Sequence, residues 1–119
     1  MESILVVDDE EIVILATCDM LEHLGYKTLQ TTSGREAVEM IGAHADSLKI
    51  IILDYKLADI SSKEVLNAAR SADSTIKVLL ATGYSSEDST TSALVNECDG
   101  FLQKPFGLNE LKETLPKFI

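Results

Sequence analysis

Four short apolar runs in this chain each stop on, or just before, a charged or hydroxyl residue. Ile4-Leu5-Val6-Val7 stops at Asp8-Asp9, and Ile50-Ile51-Ile52-Leu53 stops at Asp54. Val78-Leu79-Leu80-Ala81 stops at Thr82, and Phe101-Leu102 leads through Gln103 to Lys104-Pro105. Apolar runs of this length read as strands buried on both faces. If the strands are parallel, their C-terminal ends emerge along one edge of the sheet. Three carboxylates, a hydroxyl and an ammonium then meet in one crevice. That set suits a divalent cation and a phosphoryl group together.

Between the runs lie helical patterns. Glu11–Leu24 reads as a helix, with Gly25 placed to stop it. Lys27–Thr31 is a weaker, alternating strand. Ser33-Gly34-Arg35-Glu36 and Ser61-Ser62-Lys63-Glu64 are capping boxes, each opening a helix. The first of these helices turns Ala37, Val38 and Ile41 inward, the second Val65, Leu66 and Ala69. Strands are expected at Lys49–Leu53, Ile76–Ala81 and Gly100–Leu102. Leu108, Leu111, Leu115 and Phe118 mark the inner face of a last helix, which Pro116 should cut or kink near Thr114 or Leu115. The segment Ser85–Ser92 has no apolar residue and predicts a short, easily frayed fourth helix starting near Ser86. An ordinary capped helix with a polar outer face fits the same residues. Alternating strands and helices imply a parallel sheet covered on both faces, a doubly wound α/β fold. At 119 residues, with no repeat and no linker-like stretch, the chain reads as one domain over positions 1–119.

Charge narrows the partners. Twenty acidic residues against ten basic ones give a formal charge of −10. Such a chain repels nucleic-acid backbones and anionic membrane surfaces, so no direct nucleic-acid partner and no membrane insertion are expected. No apolar stretch approaches membrane-spanning length, and no signal peptide is legible. A cytoplasmic protein is the expectation. Cys18 and Cys98 have no metal-ligand spacing and read as free thiols. His23 and His44 read as surface residues.

The strand-end residues carry the chemistry. Ligands of open α/β sheets bind outside the carboxyl ends of the strands. Carboxylates close together stay ionised comfortably only beside a cation, and Mg²⁺ prefers a few carboxylates plus waters. Lys104, Thr82 and the backbone N–H of Gly83 could neutralise phosphoryl oxygens. Asp54 is then placed as a nucleophile toward phosphorus, giving an aspartyl phosphate. Each signal alone is weak. Asp8-Asp9 alone suggests a helix start, Thr82 a strand end and Lys104-Pro105 a loop. Asp54 says more by itself, because a carboxylate closing an apolar run of four needs a compensating partner.

Four segments, in order and in register, resemble the receiver domain of two-component response regulators. They are Val6-Val7-Asp8-Asp9-Glu10, Ile52-Leu53-Asp54, Ala81-Thr82-Gly83-Tyr84 and Gly100-Phe101-Leu102-Gln103-Lys104-Pro105-Phe106. The resemblance implies a flavodoxin-like (βα)5 fold with a five-stranded parallel sheet in order 2-1-3-4-5. It implies that Asp54 is the phosphoacceptor and that Mg²⁺, replaceable by Mn²⁺, is held by Asp9 directly and by Asp8 partly through water. Asp54 and the backbone carbonyl of Lys56 complete the metal ligands. Thr82 and Lys104 would bond the phosphoryl group, with a cis peptide before Pro105. Thr82 and Phe101 would switch conformation, and the face of the fourth helix, fifth strand and last helix would report the change. A histidine kinase or histidine phosphotransfer protein is the implied partner. The domain would be a monomer or a weak phosphorylation-dependent dimer, and no enzyme beyond its own phosphorylation and dephosphorylation. It could stand alone or form the cytoplasmic part of a membrane-bound hybrid kinase.

The chain departs from the family pattern in places. Leu57-Ala58-Asp59-Ile60-Ser61-Ser62 lacks the Pro and Gly that many receivers carry at positions 58 and 62, so this loop is expected to be looser or differently shaped. Phe101 replaces a frequent Tyr and has no hydroxyl. Lys56 and Tyr84, two residues past Asp54 and Thr82, are bulky where the family tunes phosphate lifetime, which predicts slow self-dephosphorylation. The first helix has surplus apolar residues. With Val13, Ala16, Thr17, Met20, Leu21 and Leu24 inward, Ile12, Ile14 and Leu15 form an expected docking patch for the phosphodonor. A wide, well-buried stripe accounts for the same residues. Three rival functions fit less well, the first a flavin electron carrier of similar topology, whose phosphate the Asp8-Asp9 pair after the first strand would repel. A degenerate receiver acting as a phosphorylation-independent binding module would not need the intact acidic set with Thr82 and Lys104. A phosphohydrolase would need an acid/base residue and a substrate pocket that this chain has no spare residues to build.

Overall fold

The computed structural model describes residues 3–83, 94 and 96–119. Five strands alternate with helices: β1 (Ser3–Val7), α1 (Glu11–His23), β2 (Lys27–Thr31), α2 (Gly34–His44), β3 (Leu48–Asp54), α3 (Ser62–Ala72), β4 (Lys77–Thr82) and β5 (Gly100–Gln103). A last helix, Leu108–Thr114, runs into a 3₁₀ turn over Leu115–Phe118. All strand pairs are parallel, in order β2-β1-β3-β4-β5. The expected doubly wound fold and strand order are present.

The continuous apolar strands follow from burial on both faces. Side chains alternate across a strand, and each strand divides its residues accordingly. Leu5 and Val7, Ile51 and Leu53, Val78 and Leu80 pack on one side with Ala37, Ile41, Val65, Leu66 and Ala69 of α2 and α3. Ile4 and Val6, Ile50 and Ile52, Leu79 and Ala81 pack on the other with Ile14, Cys18 and Leu21 of α1 and Leu111 of the last helix. Each fully buried Leu or Ile contributes about 1.5–3 kcal/mol relative to exposure, so the sheet is a stiff platform for whatever its edge carries.

Local signals place the helix ends. Ser33 Oγ accepts from Glu36 N at 3.1 Å, and Ser61 Oγ accepts from Glu64 N at 3.3 Å. Gly25 follows α1 with φ +94°, a left-handed conformation that a side chain would strain. Pro116 ends the regular last helix at Thr114, as its missing N–H requires. The fourth strand is shifted one residue from expectation. Ile76 N bonds Asp73 O in a turn, so ladder pairing starts at Lys77.

The expected inward face of α1 needs correction. The buried positions are Ile14, Thr17, Cys18 and Leu21, a stripe rotated away from Val13 and Met20, while Ala16 is exposed. His23 and His44 are exposed, as expected. Cys18 and Cys98 are free thiols. Among the described residues, no helix is long and apolar enough to cross a membrane. The predicted fourth helix starting near Ser86 lies outside the described residues, apart from helical Leu94, Asn96 and Glu97.

Candidate functional site

Strand register assembles the site. Val7 pairs with Leu53, Asp54 with Ala81, and Thr82 with Gln103. Asp8, Asp54, Thr82 and Lys104 therefore emerge at one level along the C-terminal edge. Lys104 N bonds Thr82 O at 2.9 Å, which anchors the turn after β5. The Lys104–Pro105 peptide is cis. Order 2-1-3 places a topological switch point between β1 and β3, where open α/β sheets bind ligands. A crevice of ≈ 410 Å³ opens at this edge, lined by Asp9, Glu10, Asp54, Lys56, Thr82, Gly83 and Lys104.

One ammonium holds two buried carboxylates. Lys104 Nζ lies 2.7 Å from Asp8 Oδ2 and 2.8 Å from Asp54 Oδ1. Asp8 is 3% exposed, Asp54 7% and Thr82 1%. The other oxygen of Asp8 accepts from Glu10 N at 2.9 Å. Burial is the main force on Asp54, and repulsion from Asp8 and Asp9 adds to it. Lys104 offsets part of the effect, and the carboxyl is pushed up to about 6. Burial of Lys104 would by itself lower its pKa, but its bonds to Asp54 and Asp8 outweigh that and hold it above the usual lysine range.

The donor chemistry fits a hard divalent cation. Carboxylate oxygens of Asp8, Asp9 and Glu10 lie within 4.8 Å of one another. Hard oxygen donors with water-accessible neighbours are what Mg²⁺ selects. Asp9 and Glu10 are exposed, leaving room for the waters that Mg²⁺ retains. Glu10 was absent from the residues expected to face the crevice. The signal that could have found it is the run of four adjacent carboxylates Asp8-Asp9-Glu10-Glu11 directly after a strand.

The other expected site residues fall as follows. Lys56 is exposed and lines the crevice beside Asp54. Phe101 is half-buried on β5 and pairs with Leu80. Tyr84 lies outside the described residues. In α1, Ile12 is 82% exposed and Leu15 54%, but Ile14 is 2% exposed and packs in the core beneath the sheet. Ile14 therefore leaves the docking patch, because the α1 stripe centres on it. Val13, Ala16 and Met20 instead line an apolar groove of ≈ 420 Å³ with Glu10, Ile12, Thr17, Lys104, Pro105 and Phe106.

The loop after Asp54 is not loose. Asp59 Oδ2 accepts from Ser33 Oγ at 2.7 Å and Arg35 N at 3.0 Å, while its Oδ1 accepts from Gly34 N at 2.9 Å. Ser62 Oγ donates to Tyr55 O at 2.9 Å. These bonds tie the segment where Pro and Gly were missing.

A parallel sheet of this order, with an acidic pair, a buried aspartate and a lysine at one edge, defines the receiver class of signalling domains. The chain belongs to the response regulator receiver domain family, whose model matches residues 4–116. It is 28% identical over 111 residues to the response regulator SaeR of Staphylococcus aureus, covering 93% of this chain and 47% of that protein. The chain thus spans about half the length of the curated relatives it matches. Among solved structures it resembles the response regulator TrrA of Thermotoga maritima, determined in complex with Mg(2+)-BeF. That match has 31% identity, TM-score 0.83 and full coverage of both chains. It also resembles a receiver domain protein of Methanospirillum hungatei JF-1, with 26% identity, TM-score 0.85, and coverage of 98% of this chain and 92% of the other.

Proposed function

We propose that this receiver domain accepts a phosphoryl group on Asp54 from the phosphohistidine of a histidine kinase or phosphotransfer protein. The observation that carries the reading is the Lys104 ammonium shared by Asp8 and Asp54 at the wall of an acidic crevice. An Asp54 oxygen attacks phosphorus, a P–O bond forms, the P–N bond breaks, and the imidazole departs. Asp8, Asp9, Asp54 and the backbone carbonyl of Lys56 are the proposed holders of Mg²⁺, with Glu10 beside them. When bound, the cation supplies charge neutralisation for the carboxylates and the incoming phosphoryl oxygens. Lys104 keeps Asp54 oriented before transfer and then pairs with a phosphoryl oxygen. Thr82 donates its hydroxyl to the phosphoryl group, which draws the following segment inward. Phe101 shifts with it and, lacking a hydroxyl, is held by packing alone. A bound state of this kind biases conformations that already exist. The TrrA structure with Mg(2+)-BeF, 31% identical to this chain over its full length, supports extending this chemistry to it.

The direct test is phosphoryl uptake from a small-molecule phosphodonor. Uptake is expected with Mg²⁺ and should vanish with chelator, and label that persists without divalent cation would count against the reading.

Two finer proposals have separate tests. Lys56 borders the crevice and obstructs hydrolytic water, so Lys56→Ala should shorten the phosphate lifetime. A lifetime equal to or longer than the parent's would remove Lys56 from that role. The exposed Ile12 and Leu15 form the docking face for the protein donor. Leu15→Asp should slow transfer from that donor by about tenfold, a loss typical of an apolar anchor worth over 1 kcal/mol, and spare uptake from the small donor. Equal rates from both donors would place docking elsewhere.

A further inference from the structure

The Asp59 clasp joins the two sides of the acidic crevice. Its carboxylate takes three hydrogen bonds from the first turn of α2. Those bonds from Arg35, Ser33 and Gly34 hold the carboxyl well below the usual aspartate range, although it is exposed. The α2 turn is itself fastened to β1. Ser33 N donates to Thr31 Oγ1 at 3.1 Å, and Asp8 N donates to Thr31 O at 3.3 Å. On the other side, Asp59 lies three residues past Lys56 in the loop that leaves Asp54. The near end of that loop is pinned by Tyr55 N to Ala81 O at 2.9 Å and by Ser62 Oγ to Tyr55 O. A continuous set of bonds thus runs from Asp8 through Thr31, Ser33 and Asp59 to the Lys56 loop.

Shape adds a second, independent constraint. A Cβ on Gly34 would fall 2.6 Å from Ile60 Cγ1, 3.1 Å from Leu57 Cδ1 and 3.2 Å from Asp59 Oδ1. Ile60 and Leu57 are half-buried against the core on this side of the sheet. The loop therefore seats on α2 only because position 34 has no side chain. Charge and fit agree on one loop position.

We propose that Asp59 is a positioning residue for phosphoryl acceptance: its clasp on α2 sets the Lys56 backbone carbonyl opposite Asp8 and Asp9, and so sets cation affinity. This rests on the reading of the crevice as an Mg²⁺-dependent phosphoacceptor site. Bonds that orient a ligand-bearing segment typically change metal affinity by about 10–100-fold when removed. Asp59 touches neither the cation nor the phosphoryl group in this account. It acts through the loop.

The test is calorimetric titration of the chain with Mg²⁺ at fixed ionic strength, together with the Mg²⁺ dependence of phosphoryl uptake. Three variants separate the causes. Asp59→Ala removes the clasp. Gly34→Ala displaces the loop and leaves every charge in place. Asp73→Ala removes another carboxylate that caps a turn, half-buried, through Thr75 N at 2.9 Å and Thr75 Oγ1, at the opposite end of the sheet. Asp59→Ala and Gly34→Ala should each weaken Mg²⁺ binding by about tenfold, with uptake returning toward the parent rate at saturating Mg²⁺. Asp73→Ala should bind as the parent does. Parent-like Mg²⁺ affinity in Asp59→Ala overturns the proposal, and so does an equal loss in Asp73→Ala. A loss in Asp59→Ala without one in Gly34→Ala reduces the effect to lost charge and also overturns it. A parent chain that binds no Mg²⁺ overturns the underlying reading instead, and this inference with it.

Discussion

Asp54→Asn should make the metal-free chain more stable at neutral pH while ending phosphoryl uptake. Asp54 is buried, and its folded pKa of about 6 lies above the ordinary aspartate value. Between those values the native state holds a proton that the unfolded state has released. Stability therefore rises as pH falls from about 6 toward about 4, and the ionised carboxylate is a burden above that window. Asparagine keeps an acceptor for Lys104 and removes the charge. A shift of this size corresponds to roughly 1–3 kcal/mol, or a rise in Tm of roughly 3–10 °C at pH 7.5 without Mg²⁺. The gain should shrink near pH 5, where the parent Asp54 is already protonated. Thermal melts across pH check this. A variant less stable than the parent at pH 7.5 would show that Lys104 more than offsets the burial of Asp54.

Removing the ammonium should do the opposite. Lys104→Ala leaves Asp8 and Asp54 buried with no cation between them. Taking one partner from a buried ion pair costs about 3–5 kcal/mol. Water reaches this crevice and Asp54 can take up a proton, so about 2–4 kcal/mol is expected here. Native domains have only about 5–15 kcal/mol in hand, so the metal-free variant should be close to unfolding at physiological temperature. Lower pH should restore part of the loss by protonating Asp54, and saturating Mg²⁺ should restore part by replacing the missing positive charge. Denaturant titrations with and without Mg²⁺ at two pH values measure both effects. A variant as stable as the parent in every condition would mean that the carboxylates do not depend on Lys104. These opposite signs would arise within a single cluster of three side chains.

Much of this cluster was legible in the chain because it is local. An apolar run and the polar residue that ends it are neighbours in sequence, and a parallel sheet brings such ends together whatever lies between. Asp8, Asp54, Thr82 and Lys104 could be read that way. The phase of α1 could not. Ile12, Val13, Ile14, Leu15 and Ala16 are all apolar, so periodicity allows several inward faces. Packing of Ile14, Cys18 and Leu21 against Ile4, Val6 and Leu111 chose the one observed. Asp59 was equally hidden. Its partners at Ser33, Gly34 and Arg35 lie 24 to 26 residues back, and only the tertiary fold places a loop carboxylate on that helix turn. Missing Pro and Gly suggested slack, whereas the loop uses side-chain bonds in their place.

The proposed chemistry turns on which atom takes the phosphoryl group. The intact chain, incubated with a small-molecule phosphodonor and Mg²⁺, should gain one phosphoryl group on the peptide containing Asp54, with acid-stable and base-labile character, and Asp54→Asn should gain none. Label on the variant, or label on any other residue of the parent, would contradict it.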